Sequence, residues 1–357
     1  MRRRPFDKPD YNFNGDSLIQ LDDGRILSFY FRKINAIKIY EQKDFKEILS
    51  IDLEEILKQN NKDVESFYES KKTFELSVIQ LKNNSILVIS FFIYLIEIKL
   101  NEKSFGSNIL FEYEENILNI NELPDGRIIL ITNNSILVLN DFILKDKYNI
   151  KKDWKIVPSS LTNNRYYGNF DQYFSSIILP DERILLRSFS TELRYNRGCG
   201  THPPLEFTHS KIIFLSTINF EEIKTTEDFK SDSRALVLEK LIIIQDYHDI
   251  YIYDIKTLEI IKKIEIKGNY NYIEKYNEKE IIAYSIYEDE NDLFIYRIEE
   301  NNIIKTCDIK KNFKFKRIIG WNNYSIREYN NKVLFVLKDK SIILLCHGDA
   351  LLLNLEL

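Results

Sequence analysis

The sequence has 357 residues, of which 44% are hydrophobic and 29% charged, a balance typical of a globular protein with a buried core. Its formal net charge of -5 argues against a general nucleic-acid binder, which carries a strong surplus of basic residues. The three cysteines are an odd, sparse set, so we predict no disulfide framework and infer a reducing compartment.

The start of the chain is not predicted to be a secretory signal. The basic run Met1-Arg2-Arg3-Arg4 is followed by a stretch with two prolines and not by the apolar region that a signal peptide needs. The most apolar run, residues 86–96, is about half of the ~20 residues of a membrane-spanning helix and predicts two buried strands instead. We therefore expect residues 1–14 to be a tail, and the protein to be cytoplasmic without a membrane span.

A hairpin signal recurs along the chain. Its first copy, Leu21 to Leu27, consists of an apolar residue, a polar turn around Asp-Gly and an apolar run. Asp-Gly suits a tight turn because glycine adopts a positive φ without steric cost. Further copies begin at Leu81, Leu123, Leu179, Leu238, Tyr276 and Tyr329.

The spacing of these hairpins predicts an all-β fold. The separation is shortest from Leu238 to Tyr276 and longest from Leu21 to Leu81, a range that fits propeller blades of about 40–50 residues with insertions. We predict a seven-bladed β-propeller of four-stranded antiparallel blades that forms a single domain over residues 15–357. The predicted blades are residues 15–57, 74–113, 114–157, 172–228, 233–267, 270–310 and 322–357.

Strand patterns fill these units. The first blade is predicted to contain strands at residues 17–21, 26–31, 36–40 and 48–53, and residues 53–67 are predicted to be helical. Later strands are predicted at residues 250–255, 260–266, 293–298, 303–309, 341–346 and 350–357. Four candidate strands after Tyr324 favour a seventh blade that is complete by itself.

This pattern resembles the WD-repeat and related β-propellers over roughly residues 17–357. The resemblance rests on the periodicity and on the Leu-x-Asp-Gly-Arg-Ile-Leu hairpin, while the Gly-His and Trp-Asp dipeptides of true WD repeats are absent. Tyr253-Asp254 and Asn140-Asp141 stand at comparable strand ends. The resemblance implies a platform for protein partners.

The longest segments between strands are predicted to lie on one face. They are residues 54–73 and 151–171, which link blades, and residues 190–209, which connect the second and third strands of the fourth blade. The shorter link at residues 310–322 is assigned to the same face. Because a rigid scaffold often presents functional loops, we predict that this long-loop face is the binding face.

Arginine and tyrosine residues in these loops are the predicted partner-binding residues, because both combine a large contact area with directed hydrogen bonds. They are Arg32, Lys33, Arg165, Tyr166, Tyr167, Arg194, Tyr195, Arg197 and His202. Two tryptophans, Trp154 and Trp321, lie in links between blades, and we expect them to be core residues rather than surface ones.

Residues 190–209 also contain the strongest candidates for a metal or catalytic site. Cys199, His202 and His209 suit zinc, but a structural zinc site needs four ligands in recognisable pairs. A Cys199 nucleophile with a His202 base has no specific signature, because the fold and not the sequence spacing places such partners. We predict no metal, no cofactor and no catalytic residue.

The predicted function is a non-catalytic scaffold that binds a protein or peptide through the long-loop face, as a monomer or within a larger complex. One alternative is an enzyme or metal site over a central channel. A second is single-stranded nucleic-acid binding by the arginine and tyrosine rim, against which the net charge argues. Arg25, Arg127 and Arg183 follow three of the turns and are interpreted as exposed residues whose stems cover apolar surface, rather than as phosphate ligands.

Overall fold

A computed structural model gives the fold for most of the chain. The structure describes residues 17–29, 36–62, 77–90, 93–156, 170–194, 205–226, 229, 234–246, 249–265, 272–284, 293–299, 302–308, 313–320, 334–346 and 349–355.

The described strands form seven antiparallel sheets of four strands each. The first three sheets are β1 (Ser17–Gln20), β2 (Ile26–Phe29), β3 (Ala36–Tyr40) and β4 (Glu47–Asp52); β5 (Ser77–Gln80), β6 (Ile86–Ser90), β7 (Tyr94–Leu100) and β8 (Phe105–Glu112); and β9 (Ile117–Glu122), β10 (Ile128–Thr132), β11 (Ser135–Asn140) and β12 (Ile143–Asn149).

The next three sheets continue in chain order. They are β13 (Phe170–Ile178), β14 (Ile184–Arg194), β15 (Leu205–Leu215) and β16 (Glu222–Thr225); β17 (Arg234–Val237), β18 (Leu241–Asp246), β19 (Asp249–Asp254) and β20 (Ile260–Glu265); and β21 (Tyr272–Asn277), β22 (Glu280–Tyr284), β23 (Leu293–Glu299) and β24 (Asn302–Asp308). In these first six sheets the strand order in space is the order in the chain.

The seventh sheet differs from the prediction. It consists of β25 (Phe313–Gly320), β26 (Leu334–Val336), β27 (Ile342–Cys346) and β28 (Asp349–Leu355), in the spatial order β25-β28-β27-β26. The predicted range 322–357 therefore omits one strand, and the predicted link at residues 310–322 contains it. The reason is that β25 pairs with β28, a partner distant in the chain that local periodicity does not reveal. All four strands come from the C-terminal part of the chain.

Five of the hairpins that mark the sheets share one backbone pattern, whereas in the copy at Leu238 the N–H of the first residue donates to the C=O of the fourth. In each of the five, the N–H of the first residue donates to the C=O of the fifth, and the N–H of the fourth donates back to the C=O of the first. In the first copy only the fourth residue, Gly24, has a positive φ, of 91°, so the turn is a three-residue loop with one left-handed residue and not a two-residue turn. The copies begin at Leu21, Leu81, Leu123, Leu179 and Leu337.

The last described hairpin copy begins at Leu337, and the copy predicted at Tyr329 lies outside the described residues. A backbone bond from Leu337 N–H to the Ser341 carbonyl, at 2.8 Å, closes this copy. Asn84, Glu182 and Lys340 occupy the left-handed position in three copies without glycine. The hairpin thus keeps its geometry where its Asp-Gly signature is lost.

Middle strands supply the core of each sheet. Every residue of β10 is buried, whereas six of the seven residues of β12, the outer strand of the same sheet, are exposed. A continuous apolar run fits a strand that is covered on both faces, and an outer strand is polar because it borders solvent. The apolar run at residues 86–96 is accordingly divided between the two buried strands β6 and β7, as predicted.

A short helix, α1 (Leu53–Gln59), follows β4. Asp52 caps it, since the carboxylate accepts from the N–H groups of Glu54 and Glu55 at 2.9 and 3.2 Å. Leu53, Ile56 and Leu57 are buried, which fastens the helix to the core. The predicted helix is confirmed at its start but ends at Gln59.

The described chain divides into two compact units. Residues 1–110 and 307–357 form one unit, and residues 111–306 form the other. Within the second unit, apolar clusters join the third sheet to the fourth, the fourth to the fifth and the fifth to the sixth. In the first unit, a cluster joins the first and second sheets. The single-domain interpretation stays a prediction.

Trp154 confirms one expectation about the core. It lies in a 3-10 helix, Lys152–Trp154, and is only 2% exposed within the cluster of the third and fourth sheets. Trp321 lies outside the described residues. No helix in the described ranges is long and apolar enough to cross a membrane.

Candidate binding site

The second and third strands of the fourth sheet form an unusually long hairpin. β14 and β15 have 11 residues each, whereas the corresponding strands of the other sheets have 4 to 7. Their register runs without a bulge from Ile184 opposite Leu215 to Arg194 opposite Leu205. The part beyond Ser190 and His209 adds about four residues to each strand, or roughly 14 Å at about 3.4 Å per residue. We call residues 184–215 the long hairpin.

This pairing corrects the interpretation of residues 190–209 as a loop. Ser190 pairs with His209, and the ladder continues to Arg194 and Leu205. Backbone N–H and C=O groups are satisfied by the partner strand, so the sequence continues as a strand although it carries many polar residues. Only the connection at residues 195–204, which includes Cys199 and His202, lies outside the described residues.

Neighbouring strands support the base of the long hairpin. β13 pairs with β14 from Ile178 opposite Ile184 to Phe170 opposite Glu192, so three strands extend together. On the other side, β16 pairs with β15 at Ile213, Phe214 and Leu215. Near its base, the hairpin therefore has a paired strand on each side, with β13 beside β14 and β16 beside β15.

The base of the hairpin is packed tightly. Ser188, Ser190 and Ser210 are fully buried. The Arg187 guanidinium lies over the Phe189 ring, 4.2 Å from its centroid, an arrangement that attracts the cation to the ring face. The base of the hairpin is therefore part of the packed interior.

A segment after β16 strengthens this support. Phe229 forms an isolated antiparallel bridge with Ser210, in which each N–H donates to the other's C=O, at 3.1 and 2.7 Å. Its ring meets the Tyr251 ring edge to face, with centroids 5.4 Å apart, in the cluster between the fourth and fifth sheets. This contact anchors the link between two sheets against the third strand of the first of them.

The structure places one predicted binding residue in a described element. Arg194 is the last residue of β14. Tyr195, Arg197 and His202 belong to the connection after it and lie outside the described residues. The remaining predicted residues also lie outside them: Arg32, Lys33, Arg165, Tyr166 and Tyr167. Which of these side chains come together stays a prediction.

The predicted metal candidates are divided in the same way. His209 lies within β15 and is half-buried, whereas Cys199 and His202 belong to residues 195–204. The described ranges contain no group of three or more histidine, cysteine, aspartate or glutamate residues that is arranged to hold a metal ion.

Three arginines that were interpreted as generic surface residues make specific bonds between sheets. Each follows a first-to-second-strand turn and donates to a backbone carbonyl in the third-to-fourth-strand turn of the next sheet. Arg25 reaches Asn101 at 3.1 Å, Arg127 reaches Thr217 at 3.1 Å, and Arg183 reaches Ile255. We call these contacts the arginine latches.

An aspartate two residues earlier orients each latch. Asp23, Asp125 and Asp181 accept from the Nε atoms of their arginines at 2.7, 2.7 and 3.0 Å. Burial alone would raise the pKa of the Asp125 carboxyl, but bonds from the Arg127 backbone N–H and guanidinium hold that pKa below its usual value. In the sequence, the Asp-x-Arg spacing indicates the contact between aspartate and arginine. It does not reveal the carbonyl partner, which lies in another sheet.

The latches and the long hairpin lie at opposite ends of the fourth sheet. In an antiparallel sheet, the connections between the first and second strands and between the third and fourth strands lie at one end, and the connection between the second and third strands lies at the other. Asp181 and Arg183 are at the first end, and Arg194 is at the second. At the first end, the arginine latches bond to neighbouring sheets. The long hairpin extends from the opposite end.

Inner strands of the third and fourth sheets share a polar network that is internally satisfied. Asn121 Nδ2 donates to Ser176 Oγ at 2.7 Å and to Asn119 Oδ1 at 2.8 Å. Ser176 Oγ in turn donates to Asn119 Oδ1 at 2.8 Å. These groups bond to one another, so the network joins the third and fourth sheets.

Comparisons with solved structures identify the architecture. Virginiamycin B lyase from Staphylococcus aureus superposes with a TM-score of 0.51 at 12% identity, covering 96% of this chain and 97% of that one. A catalytically inactive variant of this lyase with quinupristin gives a TM-score of 0.50 at 12% identity over 95% and 94%. The Dos1 propeller gives a TM-score of 0.51 at 9% identity over 95% and 77%.

No protein-family model matches the sequence, and no curated protein matches it. Identities of 9% and 12% carry information about the fold and not about chemistry. The four-stranded sheets, the recurring hairpin pattern and these structural neighbours all indicate the same fold. The chain therefore has the β-propeller fold, with seven four-stranded antiparallel sheets among its described residues.

Proposed function

We propose that this protein is a non-catalytic scaffold that binds a protein or peptide partner through the long hairpin of its fourth sheet. The observation that carries the proposal is the register of β14 and β15, which remain paired as far as Arg194 and Leu205. The described apolar clusters include residues at the base of the hairpin, such as Ile184, Leu186 and Ile213. A rigid extension is a suitable support for binding residues.

Composition at the end of the hairpin supports a recognition role. The sequence from Arg194 to Arg197 reads Arg-Tyr-Asn-Arg, and arginine and tyrosine are the residue types enriched among strong interface anchors. We propose that the protein is cytoplasmic, as predicted, and that it forms a complex with its partner. Propeller neighbours include both a lyase and a protein named only for its propeller, so the fold by itself does not choose between catalysis and binding.

The register shows where to shorten the hairpin for a test. Because Ser190 pairs with His209, residues 191–208 can be replaced by Asn-Gly, which favours a two-residue turn between paired strands. The shortened protein is expected to keep its thermal unfolding midpoint within a few degrees, since the buried base is retained. Cross-linking and affinity capture from the native cell should then lose the partner that the intact protein recovers.

A matched control lies at the other end of the same sheet. Ile218 is 83% exposed in the turn between β15 and β16, so Ile218→Ser should neither unfold the protein nor release the partner. Partner capture that survives shortening of the hairpin, or that is lost only in Ile218→Ser, would contradict the proposal. Stoichiometric zinc in the purified protein that disappears on mutation of Cys199 would instead favour the metal-site alternative.

A further inference from the structure

The turn between the third and fourth strands follows one pattern in the first, fourth and fifth sheets. Its fifth residue has a left-handed backbone: Phe45, Phe220 and Leu258 have φ of 52°, 57° and 58°. Each donates its N–H to the carbonyl four residues earlier, at 2.9, 3.1 and 2.9 Å. All three side chains are buried. Burial of an apolar side chain offsets the strain of a backbone conformation that favours glycine.

The corresponding turn of the third sheet departs from this pattern. Because Asn140 pairs with Ile143, only Asp141 and Phe142 form the turn. Both have a left-handed backbone, with φ of 48° and 61°, a geometry that favours Asn-Gly or Asp-Gly. The Phe142 side chain is only half-buried, so burial offsets less of the strain than in the other three turns. The chain therefore keeps phenylalanine where glycine would give a more stable fold.

Two exposed apolar residues follow this turn. Ile143 is 61% exposed and Leu144 is 38% exposed. The described part of the chain contains six large apolar residues that are exposed, and these two are the only ones adjacent in sequence. Single exposed apolar residues are common on protein surfaces, whereas a group of them marks an interaction site. We call residues 142–144 the apolar tip, which lies at the end of the third sheet that carries the Arg127 latch.

Charge distinguishes the possible partners of the apolar tip. Asp141 precedes the tip and Asp146 follows it, and both are exposed, whereas Lys145 is the only basic residue among residues 140–146. An anionic membrane would repel these carboxylates. A second copy of this chain, whose net charge is -5, would also place like charges together. A partner protein with an apolar pocket and a basic rim is complementary in both shape and charge.

We propose that the apolar tip is a second protein-binding site, whose side chains enter an apolar pocket with a basic rim on a partner protein. Thr217, which accepts from Arg127, and Arg194 lie at opposite ends of the fourth sheet. The inference therefore goes beyond the proposed function, because a tip and a hairpin that face different ends let the protein join two partners. The strained Phe142 is then retained for binding at the expense of stability.

A small molecule with the predicted shape and charge tests the site directly. The probe is β-cyclodextrin substituted with amino groups, a ring with an apolar cavity and a basic rim. Its neutral and carboxymethyl forms are controls that have the same cavity and a different rim. Binding at millimolar concentration is measured from the methyl NMR signal of Leu144. We expect the amino form to bind about threefold more tightly than the neutral form, and the carboxymethyl form to bind most weakly, because like charges repel.

Three variants test which side chains form the site. Ile143→Thr removes an apolar side chain and keeps the β-branch, so it should weaken binding of the amino form about fivefold. Ile218→Thr is the matched control, because Ile218 is also exposed but lies in another sheet, and binding at Leu144 should stay within about twofold. Phe142→Gly should raise the unfolding midpoint and still weaken binding about threefold, since it relieves strain but removes contact area.

Cross-linking in the native cell separates this site from the long hairpin. A photoreactive group at position 145 should capture the same protein from the unmodified chain and from the chain with the shortened hairpin. The capture should be lost in Ile143→Thr. A capture that depends on the long hairpin and not on Ile143 would leave the proposed function standing and contradict the second site.

Further results would overturn the proposal. Two are tightest binding of the neutral or carboxymethyl form, and binding by Ile143→Thr or Phe142→Gly that equals that of the unmodified protein. Sedimentation with phosphatidylserine vesicles that Ile143→Thr abolishes would assign the apolar tip to a membrane instead. A dimer in sedimentation velocity that Ile143→Thr dissociates would assign it to a second copy of this chain.

Discussion

Arg127 and Thr217 join two sheets through one hydrogen bond: the guanidinium Nη2 of the third sheet donates to a backbone carbonyl of the fourth, 3.1 Å away. Asp125 holds the same guanidinium through its Nε at 2.7 Å. The arginine is 28% exposed and its aspartate 52%, so the ion pair is screened by solvent and the carbonyl bond carries most of the stabilisation. The first and fourth sheets repeat the arrangement with Arg25 and Arg183.

Replacing the latch arginine should therefore destabilise the fold more than removing its counter-ion. We expect Arg127→Met to lower the free energy of unfolding by about 1–2 kcal/mol, because a hydrogen bond from a charged donor is lost while the aliphatic stem is kept. Asp125→Asn should lower it by about 0.5 kcal/mol. Urea denaturation measures both, with the exposed outer-strand residue Lys145 as a Lys145→Met control. Equal losses in the two latch variants would contradict this assignment.

Trp154 and Glu222 should give stability that depends on pH. The indole Nε1–H donates to Glu222 Oε2 at 2.6 Å, and this bond is the main reason that the pKa of Glu222 lies below its usual value of 4.5. Because the folded pKa is lowered, the contribution of the carboxylate is present above pH 4.5 and is lost as the pH falls through the folded pKa.

Trp154→Phe removes the indole N–H donor and also leaves a cavity. The free-energy cost of the cavity does not depend on pH. The loss of unfolding free energy should therefore be largest near pH 7 and become smaller near pH 3, as measured by urea denaturation at both values. Glu222→Gln keeps an acceptor oxygen without a titrating group, so in that background the loss caused by Trp154→Phe should be the same at both pH values. A loss that grows on acidification would contradict the assignment.

Gln20 and Lys338 join the first and seventh sheets within one unit. Gln20 Oε1 accepts from the Lys338 N–H at 2.5 Å, and Gln20 Nε2 donates to Gln42 Oε1 at 2.8 Å. The Lys338 side chain reaches the Leu21 carbonyl at 3.0 Å and Asp22 at 2.9 Å, but it is 52% exposed. Half-buried amide bonds should therefore matter more than the exposed ion pair.

We expect Gln20→Leu to lower the free energy of unfolding by about 1–2 kcal/mol, since the Lys338 backbone N–H and the Gln42 Oε1 atom each lose their bond to Gln20. Lys338→Met should cost about 0.5 kcal/mol and only at low salt, because salt screens exposed charges. Urea denaturation in about 0.02 M and 0.5 M sodium chloride distinguishes the two. A larger, salt-independent loss in Lys338→Met would show that the ranking is wrong.

Phe142 occupies a left-handed backbone conformation, with φ of 61°, in the two-residue turn between β11 and β12. A bulky side chain is disfavoured there, whereas glycine is not. Phe142→Gly should stabilise the protein by up to about 1 kcal/mol, less the contribution of its half-buried ring. Asn84→Gly is the comparison, because asparagine tolerates its φ of 66° better and the gain should be smaller. Thermal unfolding that ranks Asn84→Gly above Phe142→Gly would contradict the strain argument.

The sequence allowed much of the fold to be predicted, because its apolar periodicity is local. The strand predicted at residues 36–40 is β3 without any shift, and predictions for β19, β23 and β24 are confirmed to within one residue at each end. A half-buried strand requires alternation, and a buried one requires an apolar run, whatever its neighbours are. The hairpin copy at Leu337 to Ser341 was not predicted, because it has neither Asp-Gly nor the arginine.

The candidate site was predicted less well. Its position in the fourth sheet was found from an unusual composition, but the segment was read as a loop, since serine, threonine and glutamate interrupt the apolar pattern. The extension is stabilised by backbone hydrogen bonds, which depend little on side-chain type. The residue pattern therefore does not predict how far the pairing of β14 and β15 extends. Arg194 is the one predicted binding residue whose backbone position is described.

By itself, the sequence determined the all-β class, the recurrence of the hairpin and the strands that form the core, because each depends on residues that are neighbours in the chain. Only the tertiary structure decided that β25 joins β28, that Arg127 bonds to Thr217 and that Phe229 pairs with Ser210. These relationships depend on which distant segments meet in space. Backbone hydrogen bonds form between any two strands that are brought together. The local sequence therefore does not specify which strands pair.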